Sequence, residues 1–154
     1  VGVLVYSSHK RFGGGYRNHS KAQEEYLFNN TTLPRQKPPE GYYPLRRDEA
    51  RGFSLTAEIK HYQMPSREVV FIFVPAPVWR EGSDNILWER AALIYDLARK
   101  AGVEHLVLGG WGCGVFGCPP DRVSRALRVV MPEDTFERVT YAFLDNRLKN
   151  AFEV

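Results

Sequence analysis

Short runs of apolar, mostly β-branched residues recur along the chain and alternate with stretches of helical spacing. Residues 1–6, 68–74 and 105–108 have few polar positions, which is typical of strands buried on both faces of a parallel sheet. Apolar residues return every three or four positions over 84–101, which predicts an amphipathic helix that ends at Gly102. This alternation predicts an α/β fold with a mixed, mainly parallel sheet and helices on both faces.

The other elements follow from local signals. Ser20 and Gln23 have the spacing of a capping box, so a helix is predicted over 21–29. Residues 33–51 are rich in proline, glycine and charge and predict a long surface loop, a kind of loop that is often functional. The remaining predictions are a strand with one wet face over 53–59, a helix over 119–130, a strand over 139–144 and a terminal helix over 145–154. We expect a single domain over 1–154.

A glycine triplet and two acids follow the first predicted strand. Gly13, Gly14 and Gly15 allow main-chain N–H groups to approach a ligand closely, and such groups favour phosphate. Glu24 and Glu25 fall in the first turn of the next helix, where acids commonly serve only the helix dipole. A glycine triplet alone is also commonly just a flexible turn. Together the two features point a pair of carboxylates at a ligand cleft. Since neighbouring helix residues lie about 100° apart, the two acids must have different roles.

A second glycine-rich loop follows a later strand and matches the dinucleotide fingerprint G-x-G-x-x-G. Its members are Gly112, Cys113, Gly114, Val115, Phe116 and Gly117. The motif comes after a late strand, and the acid expected about 20 residues further on is missing, so hydride transfer is disfavoured. The weaker prediction is a loop whose N–H groups cradle a diphosphate, with a tight turn that binds nothing as the alternative. Phe116 packs either on a ribose or in the core.

The first motif, three glycines, seven residues and Gln23-Glu24-Glu25, resembles the signature of the microbial type of poly(ADP-ribose) glycohydrolase. Residues 108–117 are similar to that family's second ligand loop, residues 74–77 to the ending of one of its strands, and residues 141–145 to its final strand. The resemblance covers nearly the whole chain. It implies a macrodomain fold that binds ADP-ribose and hydrolyses a ribosyl O-glycosidic bond in poly(ADP-ribose) or a related ADP-ribosylated macromolecule. No cofactor or metal is implied.

The resemblance also implies roles for single residues. Glu25 would be the catalytic acid and base, and Glu24 would hold the sugar on the other side of the scissile bond. The glycine triplet would wrap the diphosphate and the distal ribose, with Gln23 beside it. Residues 112–116 would close over the diphosphate, with Phe116 against the ribose.

Two features of the chain depart from the family pattern. Arg11 and Phe12 stand where the family has an Asn-Pro pair, whose Asn orients the distal ribose. Relatives also carry helices and strands before the position of Val1. Two alternatives therefore stay open: a module that binds ADP-ribose without cleaving it, and an enzyme that acts on a different nucleotide derivative in the same cleft.

The bulk properties limit the classes of partner. The net charge of +3 is too small to indicate nucleic acid, which is left as an unsupported alternative. No apolar run approaches the ~20 residues of a membrane span, and no signal peptide is recognisable, so we expect an intracellular, cytoplasmic protein. Cys113 and Cys118 show no zinc-ligand spacing with the four histidines, which predicts idle thiols.

Overall fold

In a computed structural model that describes residues 1–61 and 63–153, five strands form one mixed sheet. The strands are β1 (Gly2–Val5), β2 (Phe53–His61), β3 (Met64–Phe73), β4 (His105–Gly109) and β5 (Arg138–Ala142). The helices are α1 (Gln23–Asn30), α2 (Asp84–Lys100), α3 (Pro120–Val129) and α4 (Asn146–Phe152), with short 3-10 turns at Tyr16–Asn18 and Leu33–Arg35. The order across the sheet is β2-β3-β1-β4-β5, and only β2 runs antiparallel to its neighbour.

Side chains alternate between two cores on opposite faces of the sheet. Leu4 and Ile72 belong to the core that α2 and α3 cover. Val5 and Phe71 belong to the second core, in which Phe28 of α1 is buried. Burial on both faces explains why the central strands read as continuous apolar runs. The predicted α/β class, with helices on both faces, is confirmed.

The register places the carboxyl ends of the central strands at one edge of the sheet. Val5 at the end of β1 lies opposite Phe73 at the end of β3, and Gly109 at the end of β4 lies opposite Ala142. Both glycine-rich loops therefore leave the sheet along the same edge, where open α/β sheets bind ligands.

The helix start predicted around Ser20 is wrong. α1 begins at Gln23, and its N-cap residue, Ala22, makes no side-chain capping bond. The Gln23 amide instead accepts from the Tyr6 N–H at 2.6 Å and donates to the Leu4 carbonyl at 2.9 Å. Because Gln23 is held by the end of β1, it cannot complete a capping box, and the helix begins two residues later than predicted.

The other predicted elements are present with shifted ends. β3 begins at Met64 rather than at 68, because its first part pairs with β2 in an antiparallel hairpin. β5 ends at Ala142 rather than at 144, and α4 covers Asn146–Phe152. Val154, the last residue of the predicted terminal helix, lies outside the described residues. A single domain over the whole chain stays a prediction.

The predicted loop over 33–51 has no regular element beyond its first 3-10 turn, but it is not purely a surface segment. Leu33, Tyr42 and Leu45 are buried in it. The loop therefore contributes to the core as well as to the surface beside the strand ends. Among the described residues, no helix combines the length and apolar character that crossing a lipid bilayer requires.

Candidate active site

Glu24 is buried and clamps the loop between β1 and α1. One of its carboxylate oxygens accepts from the Ser8 N–H at 2.7 Å, and the other accepts from the Gly13 N–H at 3.1 Å. Its side chain is only 2% exposed. These contacts fix the loop against the helix start and leave Glu24 little access to a ligand.

Glu25 is held by the other end of the glycine triplet. Its Oε1 accepts from the Gly15 N–H at 3.3 Å, and the residue is 9% exposed. Gly14 lies between the two acids with a φ of +57°, and a Cβ added there would stand 3.0 Å from an oxygen of Glu24 and from one of Glu25. A glycine is therefore required here both by the backbone angle and by the carboxylates.

The N–H groups of the glycine triplet are engaged within the protein. Gly13 and Gly15 donate to the two glutamates, and Gly14 donates to the carbonyl of Arg11 at 3.2 Å. The triplet therefore holds the side chains of Glu24 and Glu25 in place. Its contact with a diphosphate stays a prediction.

The environment of Glu24 disfavours the charged carboxylate. Burial raises its pKa to about 8; the N–H donors of Ser8 and Gly13 oppose this shift, and the nearby Glu25 adds to it. The buried carboxyl group of Glu24 is therefore expected to keep its proton up to a pH of about 8.

The stability of the protein should depend on this proton. The free energy of unfolding should fall as the pH rises from 4.5 to about 8, because the folded protein keeps a proton on Glu24 that the unfolded chain releases. The fall is at most about 5 kcal/mol at 1.36 kcal/mol per pKa unit. Glu24→Gln cannot ionise and should flatten this dependence, at the constant cost of one N–H···O bond. Denaturant unfolding across this pH range, with the exposed Glu89→Gln as control, measures it; equal slopes for all three proteins would contradict it.

The second loop is anchored to the segment that follows β3. Trp111 is fully buried and donates from its indole N–H to the Val74 carbonyl at 2.8 Å. Gly112 has a φ of +74°, and an added Cβ would stand 2.5 Å from the Ala76 Cβ. The Trp79 N–H donates to the Phe116 carbonyl at 2.8 Å. The base of the loop is thus fixed, whereas Val115 at its tip is fully exposed.

The two cysteines are protonated thiols packed in this loop. Cys118 is 2% exposed and donates from Sγ to the Pro77 carbonyl at 3.2 Å. Burial raises the pKa of Cys118 to about 12 and that of Cys113 to about 11. No group of three or more His, Cys, Asp and Glu side chains within the described residues is placed to hold a metal ion.

A cavity of about 170 Å³, here called the cleft, lies between the start of α1 and the second loop. Its lining residues are Tyr6, Ala22, Gln23, Ala76, Gly110, Trp111, Gly112, Gly114, Val115 and Phe116. It is smaller than the roughly 300–1,000 Å³ of typical small-molecule sites, so a dinucleotide-sized ligand must extend beyond it. A larger depression of about 760 Å³ lies between α2 and α3, beside the exposed ion pair of Asp84 and Arg122, and neither glycine-rich loop lines it.

The structure brings most of the predicted binding residues together. Gln23 faces Gly112, Gly114, Val115 and Phe116 across the cleft. Glu24 and Glu25 come directly after Gln23 in α1 but do not line the cleft. Cys113 and the glycine triplet are also outside its lining, and Gly14 lines a separate pocket beside Arg11. The roles assigned to all these residues stay predictions.

Six residues of the site were not predicted from the sequence, namely His9 and the cleft residues Tyr6, Ala22, Ala76, Gly110 and Trp111. Tyr6 and Ala76 line the cleft, and the His9 ring packs against Phe116 with the ring centroids 5.5 Å apart. Burial raises the pKa of the Tyr6 hydroxyl to about 12, so it stays protonated. Tyr6 follows β1 directly and Ala76 comes three residues after β3. Their positions just past strand ends were the available signal.

Arg11 and Phe12 depart from the family pattern, and the structure explains the second of them, Phe12. The Phe12 ring packs 4.7 Å from Phe28 and 5.4 Å from Phe73, between ring centroids. It therefore anchors the glycine loop in the core under α1. Arg11 is exposed.

Comparisons with known proteins agree with this geometry. Residues 1–71 match the family described as microbial-type PARG, the poly(ADP-ribose) glycohydrolase, catalytic domain. A single-residue variant of PARG from Deinococcus radiodurans, solved in complex with ADP-ribose, is 30% identical over 99% of this chain and 73% of that chain, with a TM-score of 0.82. PARG from Thermomonospora curvata has the same fold, with a TM-score of 0.80 and 24% identity over 99% of this chain and 66% of that chain.

An uncharacterized protein of Thermoplasma acidophilum is 30% identical over 125 residues, which are 77% of this chain and 58% of that protein. The chain thus spans 58% to 73% of the length of these relatives. The identity, the coverage and the shared fold lead to one conclusion: the chain belongs to the microbial-type poly(ADP-ribose) glycohydrolase family.

Proposed function

We propose that this protein hydrolyses the ribosyl O-glycosidic bond of poly(ADP-ribose), or of a related ADP-ribosylated macromolecule, and releases ADP-ribose. The observation that carries the proposal is the Glu25 carboxylate, held by the Gly15 N–H at 3.3 Å at the strand-end edge of the sheet. Gln23, two residues earlier, lines the cleft together with the second loop. The relative from Deinococcus radiodurans was solved with ADP-ribose bound, which supports the choice of ligand.

The mechanism follows from the chemistry of a ribosyl bond. Cleavage passes through an oxocarbenium-like state, and a proton delivered to the leaving oxygen lowers its barrier. Glu25 would give that proton as the C1–O bond breaks, and the Glu25 carboxylate would then take a proton from the water that attacks C1. The reaction restores the starting protonation of Glu25, so it consumes only water.

The buried neighbour has a supporting part in this scheme. Glu24 bonds Ser8 and Gly13 through both of its oxygens, so its first task is to hold the glycine loop. The loop in turn positions Glu25 through Gly15. Glu24 is 2% exposed, so a sugar hydroxyl has little access to it in this conformation.

Two measurements on the purified chain test the proposal. Incubation with poly(ADP-ribose) should release ADP-ribose, and calorimetry with free ADP-ribose should show binding. Binding without release would identify a recognition module. Neither binding nor release, together with binding of another nucleotide, would favour an enzyme for a different nucleotide derivative, the alternative that the exposed Arg11 keeps open. An intracellular location is proposed from the sequence alone.

A further inference from the structure

A second pocket of about 250 Å³ adjoins the cleft and is strongly basic. We call it the basic pocket; it is formed by His9, Arg46, Arg47 and Arg90, with Ala76 and Val78 among its walls. Ala76 also lines the cleft, so the two cavities share a wall. His9 belongs to the basic pocket and packs its ring on Phe116 of the cleft. A ligand that leaves the cleft at Phe116 therefore meets the basic pocket next.

A buried arginine builds the pocket by fixing its backbone. The Arg90 guanidinium donates to the carbonyls of Arg46 at 3.0 Å, Arg47 at 3.2 Å, Glu49 at 3.0 Å and Pro75 at 3.2 Å. These acceptors are all uncharged, and the residue is 2% exposed. These bonds therefore leave the positive charge of Arg90 unneutralised at the base of the pocket.

The loop over residues 33–51 is also bonded to the loop between β1 and α1. The Leu45 N–H donates to the His9 carbonyl at 2.7 Å, and Leu45 is buried. His9 follows Ser8, whose N–H bonds Glu24. The backbone at Arg46 and Arg47 is therefore held against the loop between β1 and α1. Both arginine residues are exposed.

The electrostatics of the pocket favour an anion. Burial lowers the pKa of His9, and the nearby charges of Lys10, Arg90 and Arg47 lower it further, which indicates a positive potential at the ring. The His9 Nδ1 is buried and has no hydrogen-bond partner among the described residues. Among the described residues, 1–61 and 63–153, no Asp or Glu side chain lines the basic pocket.

Asp48 and Glu49 directly follow the two arginines in sequence, and neither lines the basic pocket. Glu49 forms an ion pair with Arg51 at 2.8 Å, and the same oxygen accepts from the Arg46 N–H at 3.1 Å. It therefore does not neutralise the two arginine side chains of the pocket by pairing with them in this structure.

We propose that the basic pocket binds the diphosphate of the ADP-ribose unit that adjoins the unit in the cleft. This inference rests on the proposed function. In poly(ADP-ribose), the ribose on the leaving side of the scissile bond carries a diphosphate on its 5′ oxygen, so an anion stands one sugar away from the reaction. Guanidinium groups match such oxygens with paired N–H donors. The pocket would make the enzyme favour a chain of ADP-ribose units over a single unit.

The test compares two double variants. Arg46→Gln with Arg47→Gln removes both charges and leaves shorter, polar side chains. The control, Arg99→Gln with Arg138→Gln, makes the same change in the last turn of α2 and at the start of β5, at the opposite end of the sheet. For the pocket variant we expect KM for poly(ADP-ribose) to rise about tenfold, with kcat and the Kd for free ADP-ribose changed less than about twofold. The control should match the parent in all three constants.

Each other outcome is decisive. A pocket variant with the parent's KM overturns the inference while leaving the proposed function intact. Equal losses for polymer and for free ADP-ribose overturn it as well, because the arginines would then serve the cleft or the fold. A control that loses as much as the pocket variant shows an effect of net charge only and also overturns it. A parent that neither binds nor releases ADP-ribose contradicts the proposed function, and the inference fails with it.

Discussion

Glu25→Gln is expected to lower the rate of ADP-ribose release by about 10³, because a positioned general acid and base contributes roughly 10²–10⁴ to such a reaction. The amide has the shape of the carboxyl group and can still accept from the Gly15 N–H through its oxygen. It can neither give a proton to the leaving oxygen nor take one from water. Binding of free ADP-ribose should therefore stay within about threefold of the parent.

Release assays with poly(ADP-ribose) and calorimetry with ADP-ribose measure the two effects. Glu89→Gln, an exposed change of the same chemistry on α2, is the control and should keep the parent's rate. If Glu25→Gln released ADP-ribose as fast as the parent, the assignment of Glu25 would be wrong. A variant that lost binding together with activity would place Glu25 in ligand recognition instead.

Gly112→Ala should unfold more easily than the parent and should lose most of its affinity for ADP-ribose. At a φ of +74° an alanine is strained, by roughly 1–2 kcal/mol. Its Cβ would also stand 2.5 Å from Ala76 and 2.9 Å from the Cys118 sulfur, an overpacking that costs about 1–3 kcal/mol more. Because Ala76 is a wall of the cleft, the strain should displace the second loop, and Kd should rise at least about tenfold.

Gly117→Ala separates the two causes. Gly117 has the same φ of +74°, but a Cβ added there meets no atom within 4 Å. Its variant should lose only the backbone part of the stability and should bind ADP-ribose nearly as the parent does. Thermal unfolding and calorimetry on both variants suffice. Equal losses at the two positions would show that the contact with Ala76 is unimportant.

The edge of the sheet at which the candidate site lies could be predicted from the sequence because it depends on where the buried parallel strands end. Buried strands are marked by apolar runs, and parallel strands bring their carboxyl ends to one edge. Both glycine-rich loops were therefore expected at that edge, and the pairing of β1 with β4, which the sequence did not predict, makes them neighbours. The two acids at the start of α1 could also be singled out as catalytic candidates, because a carboxylic acid is one of the few side chains that can protonate the leaving oxygen of a ribosyl bond.

The contacts inside the site could not be predicted, because they join residues that are far apart in sequence. Gln23 fits a capping box on local spacing alone, yet its amide bonds the Tyr6 N–H, 17 residues away. Arg90 lies on an ordinary amphipathic helix, and nothing near it signals that it holds carbonyls more than 40 residues distant. Phe12 is simply an apolar residue in a loop until the ring of Phe28 is placed beside it. Such tertiary contacts outweigh local preference.

The buried thiol of Cys118 provides a probe for opening of the second loop. It is packed under that loop, and burial keeps it protonated, so an alkylating reagent reaches it only when the loop lifts away from Pro77. With the half-buried Cys113 replaced by Ser, the rate at which Cys118 is labelled would report how often this contact opens. A nucleotide that fills the space beneath the loop should slow the reagent in proportion to its occupancy, which turns a chemically silent cysteine into a built-in sensor of ligand binding.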